Sequence, residues 1–577
     1  MSMRRAISSC RPIASRYTCT PRKNAPFYGH RHWLSMFSKP HFVNEPSPTY
    51  ARNTLERTGI TEALQDLKSR LPIQIPLQIG SKNLTKSNVL TQINPSRHAE
   101  IIAEWTPATA SDIKNAISSA LAAKSSWENT PFEQRAAIFL RAAELVSKKY
   151  RYELMAAVMM GQGKNIWQAE IDVVAETCDL LRFNVQCAME LFKTQPAVNP
   201  AGMWNRLEYR PLEGFVYSIS PFNFTALAAA LAYGPLLMGN VVIWKPSLSA
   251  LHSSWLLHQI LLEAGLPKEV VQFVPGDAEE VTTAVLASSD FAALNFTGST
   301  AVFKSLIAKI GVATGEDRFL NYPRIVGETG GKNFHLIHKS ADIENAVNST
   351  IRGAFEFQGQ KCSATSRVYV PESIWPEFKR DLLAKTESIN VGPPEEFRNF
   401  VNPVIHEQAF DKLDSFIESA KNDPKLTLLA GGKTDKDVGF YVHPTIYQTS
   451  DPQHEIMKKE LFGPLFAVYV YPDSEWVNMA RLIDSTTRYA LTGSVFARDV
   501  EAIAFAEREL RYSAGNFYIN TKSSGSVVGQ QPFGGMRGSG TNDKVGSVNV
   551  LSRFVSVRAI KEDFEGTKDF RYPSNEI

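Results

Sequence analysis

The 577 residues, 44 % hydrophobic and 21 % charged, have the composition of a folded globular chain, and at roughly 150 residues per domain they suggest several structural units. Five cysteines are too few for a disulfide scaffold of this length. The formal charge of +3 conceals an asymmetry: residues 1–44 hold eight Lys or Arg and no acid, so the remainder has 54 basic against 59 acidic residues, a net −5 that gives no reason to expect nucleic-acid binding.

The leader is rich in Arg and Ser, free of acids, and lacks the apolar run of a secretory signal, so residues 1–40 read as a mitochondrial transit peptide and the protein as one of the mitochondrial matrix. A polar arm beginning "NEPSPTYARN" leads into a helix through "TEALQDLKSRL", and residues 76–105 alternate short β-prone pieces with turns. Helical periodicity follows in "SDIKNAISSALAAKSSW", with Ser111 as expected N-cap, and in "PFEQRAAIFLRAAELVSKKY", with Pro131 at a helix start. Another helical stretch, Glu170 to Phe192, carries Glu176, Cys178 and Cys187; the two cysteines are expected to pack.

From Gly214 the pattern becomes apolar strands separated by helices: "GFVYSIS", "NVVIWKPS", "VVQFVPGD" and "FAALNFTGST". This indicates a parallel sheet covered on both faces, with a crevice beyond the carboxyl ends of its strands, where Lys245, Pro275, Gly276 and Ser299 fall. The apolar run Ala226–Trp244 is broken by Pro235, Gly239 and Asn240, so it parses as the helix "TALAAALAY", the turn "GPLLMGN" and a strand, and no membrane span is expected. A second βα-rich region runs from about Glu328 to Asn520. "MWNRLEYRP" and "SVNVLSRFVSVRAIKE" look like peripheral strands, the first partly facing solvent or awaiting a partner.

Cys362, in "FEFQGQKCSATSR", is either a buried structural thiol or a nucleophile, and a nucleophile needs a base and an oxyanion stabiliser. Glu328 in "VGETGGKNF" and Asn223 in "SISPFNFTA" are candidates, with helix and turn capping as their plainer readings. The Gly- and Ser-rich stretch "SSGSVVGQQPFGGMRGSGTNDKVGS" offers donors able to surround an anion, or is a flexible surface loop. His335 and His338, three apart in a strand, point to opposite faces, and no metal site is expected.

The segments "SPFNFTA", "VVIWKPS", "NFTGST", "ETGGKN", "FQGQKCSA" and "KELFGPL", in this order and with 34 residues between Glu328 and Cys362, resemble the aldehyde dehydrogenase superfamily. The resemblance implies an α/β fold: an arm and parallel-sheet cofactor domain over 41–327, an α/β catalytic domain over 328–520, and a small β oligomerisation element from 203–213 and the C-terminal strands of 521–577, in a homodimer. It implies that Cys362 is the nucleophile, that Asn223 and the Cys362 N–H hold the oxyanion, and that Glu328 activates the deacylating water. It implies NAD as cofactor, contacted by Ser220, Lys245, Gly276, Ser299, Glu460 and Phe462. Leu248 departs from the family pattern, standing where an acid commonly binds the adenosine ribose, which weakens the exclusion of NADP.

Together with "NEPSPTY", "GQGKNIWQAEID" and "TNDK", the Gly-Ser stretch resembles the mitochondrial, proline-degrading branch of that family, which oxidises L-glutamate γ-semialdehyde to glutamate. By that resemblance Gly525 and Ser526 bind the α-amino acid end, Ser363 contributes, and Phe224 and Phe533 clamp the aliphatic chain. Glu176 either faces the ligand or satisfies Arg182. Another semialdehyde, such as succinate semialdehyde, is the alternative substrate.

Overall fold

The computed structural model describes residues 42–576, so the expected transit peptide lies outside the described residues. The first helix, Leu55–Ser69, is capped by Thr54, and the helix Ala110–Glu128 is capped by Thr109. Ser111, the expected cap, sits inside the first turn because Thr109 and Asp112 satisfy each other reciprocally: the Asp112 carboxylate accepts the Thr109 N–H while the Thr109 hydroxyl accepts the Asp112 N–H. The next helix, Phe132–Ser147, does start after Pro131.

Five parallel strands, Phe215–Ile219, Val241–Lys245, Val271–Phe273, Phe291–Thr297 and Arg324–Glu328, form one sheet. Taken as first to fifth in the chain, they lie in the order fifth, fourth, first, second, third. The direction of winding therefore reverses between the first and fourth strands, and the crevice of such a sheet opens at their carboxyl ends, beside Ile219 and Thr297.

The helix Thr225–Leu237 runs straight through Pro235, where a turn was expected. A proline inside a helix strips the carbonyl four residues earlier of its N–H partner. Here that carbonyl, of Leu231, accepts instead from the Ser218 hydroxyl and the Asn295 amide, both at 2.8 Å, so two sheet strands replace the missing bond.

A second, seven-stranded sheet has Asn333–Ile337 between the parallel strands Thr365–Pro371 and Thr492–Phe496, with the antiparallel strand Leu426–Ala430 at one edge. Only Thr329–Lys332 separate the last strand of the first sheet from this one, so the carboxyl end of one sheet abuts the amino end of the other. The peripheral strands Met203–Pro211 and Val555–Asp563 pair antiparallel along nine residues each. The C-terminal strand begins at Val555 and not at Ser547, because Ser547 caps a helical turn, Val548–Ser552. Among the described residues, no helix is long and apolar enough to cross a membrane.

Candidate active site

The junction of the two sheets brings Glu328 and Cys362 together. Glu328 ends its strand. Cys362 follows a tight turn after the helix Ile343–Phe355, in which Phe357, Gln358 and Gly359 all have positive φ. Bulky residues rarely adopt that conformation. It is held here by the Gln358 side chain, which donates to the carbonyls of Gly163 and Pro403 and accepts the Asn402 N–H. A Cβ at Gly359 would lie 2.2 Å from the Gly463 carbonyl oxygen, so glycine is required there. Asn333 fixes the far side of the turn, donating to the carbonyls of Cys362 and Ala364 at 2.7 and 2.8 Å.

Asn223 is buried and its Nδ2 donates to the Gln360 carbonyl at 3.1 Å, two residues before Cys362. An amide carries two donor hydrogens, so one is left for an oxyanion. The Cys362 thiol is pushed up to about 12, first by burial and then by the Glu460 and Glu328 carboxylates. Glu328 accepts the Gly535 N–H through Oε2 at 2.8 Å, while its buried Oε1 has no hydrogen-bond partner. Burial outweighs that bond and the nearby Lys544 ammonium, and holds the carboxyl well above its usual range.

The expected cofactor residues line the carboxyl ends of the first sheet and the facing edge of the second. The Ser220 hydroxyl accepts the Trp244 indole N–H at 2.9 Å, and the buried Lys245 ends the next strand with Asp277 as its nearby counter-charge. Gly276 precedes a helix start, where a Cβ would come within 3.0 Å of Val281. Ser299 caps the helix Thr300–Gly315 at the switch point, and the free N–H groups and dipole of such a terminus suit a phosphate. Glu460 accepts the Gly331 N–H at 2.8 Å and is raised to about 7 by burial. Phe462, at φ 57, packs edge-on against Phe222. Leu248 opens a short helical turn just past Lys245. This donor set and crevice fit a dinucleotide.

On the other side of Cys362, Phe224 and Phe357 sandwich the Lys164 ammonium, 4.6 and 4.3 Å from their ring centres. Lys164 pairs with Asp172 at 2.6 Å, and Asp172 also accepts the N–H groups of Thr225 and Ala226 at the start of the helix that follows Phe224. Glu176 lies at the end of a π-helical turn, Glu170–Glu176, and is raised to about 8 by burial and then by the neighbouring Asp172 charge. Its suggested pairing with Arg182 does not occur: Arg182 is bound to Glu45 at 2.8 Å. The Gly-Ser stretch is a structured loop. Gly525 has φ 93, the Ser526 hydroxyl donates to the Gln531 carbonyl at 2.6 Å, and Phe533 exchanges two backbone bonds with Val545. Ser363 is buried, and its carbonyl accepts from the hydroxyls of Thr492 and Ser523.

Sequence reasoning missed Lys164, Lys544 and His335. Lys544 braces the turn behind Glu328, its ammonium donating to the carbonyls of Gly515 and Gly534 at 2.7 and 2.6 Å. His335, weighed only as a metal ligand, accepts the Ser523 N–H through Nε2 and meets Thr365 and Thr350. Burial carries it down to about 3, so it is a neutral bridge between the loop and the strand Thr365–Pro371 that follows Cys362. A lysine amid apolar and amide residues in "GQGKNIWQ" was a usable signal for Lys164; the partners of the other two are distant in sequence. Among the described residues, no cluster of three or more potential ligands could hold a metal.

The aldehyde dehydrogenase family model matches residues 83–560. The chain is 58 % identical over 543 residues to the mitochondrial delta-1-pyrroline-5-carboxylate dehydrogenase of Emericella nidulans, covering 94 % of this chain and 95 % of that one. It is 47 % identical to the mitochondrial protein of the same name from Homo sapiens, covering 92 % and 94 %. The crystal structure of the Mycobacterium tuberculosis delta-pyrroline-5-carboxylate dehydrogenase bound with NAD superposes with a TM-score of 0.89 at 44 % identity, over 93 % of this chain and 99 % of that one.

Proposed function

The chain belongs to the aldehyde dehydrogenase family, and on that premise we propose that it oxidises L-glutamate γ-semialdehyde, in equilibrium with Δ1-pyrroline-5-carboxylate, to L-glutamate with NAD, the second step of proline degradation. The observation that carries this reading is identity of 47 to 58 % to enzymes of that name over more than nine-tenths of the chain. It is supported by a nucleophile, a buried carboxyl and an amide donor that meet at one junction.

Cys362 gives up its thiol proton to solvent water as its sulfur adds to the aldehyde carbon, and the new oxyanion is held by the Cys362 N–H and the second Asn223 hydrogen; such donors are worth about 3 to 4 kcal/mol in the transition state. When bound, NAD supplies the hydride acceptor. Ser220, Lys245, Gly276 and Ser299 would hold its adenosine and phosphate end, and Glu460 with Phe462 would hold the nicotinamide riboside. Loss of hydride from the adduct leaves a thioester on Cys362. Glu328, once deprotonated, takes a proton from the water that opens it. The substrate's far end rests in the Gly525–Ser526 loop with Ser363 nearby, its methylenes between Phe224 and Phe533, and Glu176 faces it.

The acid-free leader and the mitochondrial relatives support residence in the mitochondrial matrix. The half-exposed strand pair 203–211 and 555–563 supports a homodimer built on that element, and the two sheets support a cofactor domain ending near 327 and a catalytic domain from 328 to 520. NADH production by the purified protein tests the reaction, with L-glutamate γ-semialdehyde, succinate semialdehyde and propanal each assayed with NAD and NADP. Preference for the amino acid semialdehyde with NAD is expected. Equal or better turnover of succinate semialdehyde would overturn the substrate assignment.

A further inference from the structure

We infer that the arm preceding the first helix is part of the substrate site: Asn44 is a positioning residue that clasps the Gly525–Ser526 loop to the helix Thr177–Phe192. This rests on the reading that the loop receives the amino acid end of the substrate. Asn44 Nδ2 donates to Asp179 Oδ2 on the helix and to the Val528 carbonyl in the loop, both at 2.7 Å. Its Oδ1 accepts from Gln530 Nε2 at 2.9 Å, so one side chain ties three points. The neighbouring Glu45 N–H completes the anchorage on Asp179 Oδ1 at 2.8 Å.

Packing repeats the arrangement. Phe183, one turn further along the helix, meets Phe42 of the arm edge-on, with ring centres 6.3 Å apart. Against the same ring lies Gly529 of the loop, where a Cβ would fall 2.6 Å from Phe183 Cζ. The arm is itself nailed down, since the Glu45 carboxylate is buried between Arg151 and Arg182. The loop's own bonds, from Ser526 to Gln531 and from the Gln530 and Gln531 N–H groups to Val527, close it on itself but do not attach it to anything. At Val528–Gln530 the loop packs on the helix through Val528 beside Leu180 and Ala226, and the side-chain hydrogen bonds that fix it there come from Asn44 of the arm. Binding a carboxylate by converging N–H groups requires their placement to within fractions of an ångström, so freeing the clasp costs affinity for substrates that use the loop and leaves others untouched.

The test compares Asn44→Ala, Gln530→Ala and the double variant in the full-length protein, measuring kcat and KM with L-glutamate γ-semialdehyde and with propanal. Gln530 is a surface side chain, so its truncation leaves folding intact even where Asn44→Ala lowers the melting temperature. The expected result is a loss in kcat/KM of about 5- to 10-fold on the semialdehyde, mostly in KM, less than 2-fold on propanal, with the double variant no worse than Asn44→Ala. Equal losses on the two aldehydes, or none, would overturn the clasp. Gly525→Ala in the same assays separates the two ideas: if it is selective while the clasp variants are not, only the clasp fails, and if none is selective, the assignment of the loop fails with it.

Discussion

Buried charge is handled in opposite ways in two regions around Cys362. Among the helices and in the turn before Cys362, the charges are paired: Lys164 with Asp172, Arg151 with Glu45 and Glu170, and Glu356 with both Lys361 and Lys522. Burial alone would raise Glu356, yet its two lysines outweigh that and carry it down to about 2. At the sheet junction, Glu328 and Glu460 each receive a single backbone N–H and are raised by burial, Glu460 to about 7 and Glu328 well above its usual range. A carboxyl locked in its charged form supports a scaffold, whereas one poised between forms can move a proton. Glu176 breaks the geographical rule. It lies near the paired groups but is raised to about 8 by burial, and Asp179, three residues on, is also raised by burial.

The sharpest way to break this division is at Cys362, the proposed nucleophile. Cys362→Ser is expected to reduce NADH formation to background while leaving NAD affinity within about 2-fold, because other residues build the cofactor crevice. Titration of NAD into the inactive variant checks the second half. Glu328→Gln should then show a stoichiometric burst followed by turnover slowed about 10²- to 10⁴-fold, the usual range for a lost general base. Since burial holds the Glu328 carboxyl above its usual range, its ionisation is shifted toward higher pH, and wild-type deacylation should climb as pH rises and the carboxyl ionises. Rapid-mixing traces across pH should show this climb disappear in Glu328→Gln.

On the paired side, the expected damage is to stability. Lys164→Met should destabilise the protein by roughly 3 to 5 kcal/mol, the cost of leaving a buried partner, here Asp172, without its counter-charge. Denaturant unfolding measures it, and an effect confined to kcat with no loss of stability would place Lys164 on the chemical side. Smaller again is Ser526→Ala. The hydroxyl already donates to Gln531, so its removal should loosen the loop and cost about 3- to 10-fold in kcat/KM on L-glutamate γ-semialdehyde, with little change on propanal. The least effect is expected at Leu248: a Glu there should raise the NAD-over-NADP ratio of kcat/KM only a few-fold, by repelling the 2′-phosphate.

Much of the fold was legible along the chain. The alternation of apolar strands with helices located the parallel sheet, and the ordered motifs singled out Cys362, Glu328 and Asn223 before any geometry was known. Local rules failed where a distant partner changed the balance. Pro235 continues its helix because Ser218 and Asn295 reach the freed carbonyl, and Thr109 displaces Ser111 as cap because Asp112 completes a reciprocal pair. Arg182 left Glu176 for Glu45, 137 residues away in the chain.

What the sequence determined by itself was therefore the set of elements, their order and the candidate reacting groups, since periodicity, caps and side-chain type are properties of short stretches. Only the tertiary structure decided which charges are paired and which are poised, how the strand order reverses to open the crevice, and that Asn44 meets Val528. Those outcomes depend on desolvation and on contacts between residues hundreds of positions apart, and both arise only once the two sheets have packed.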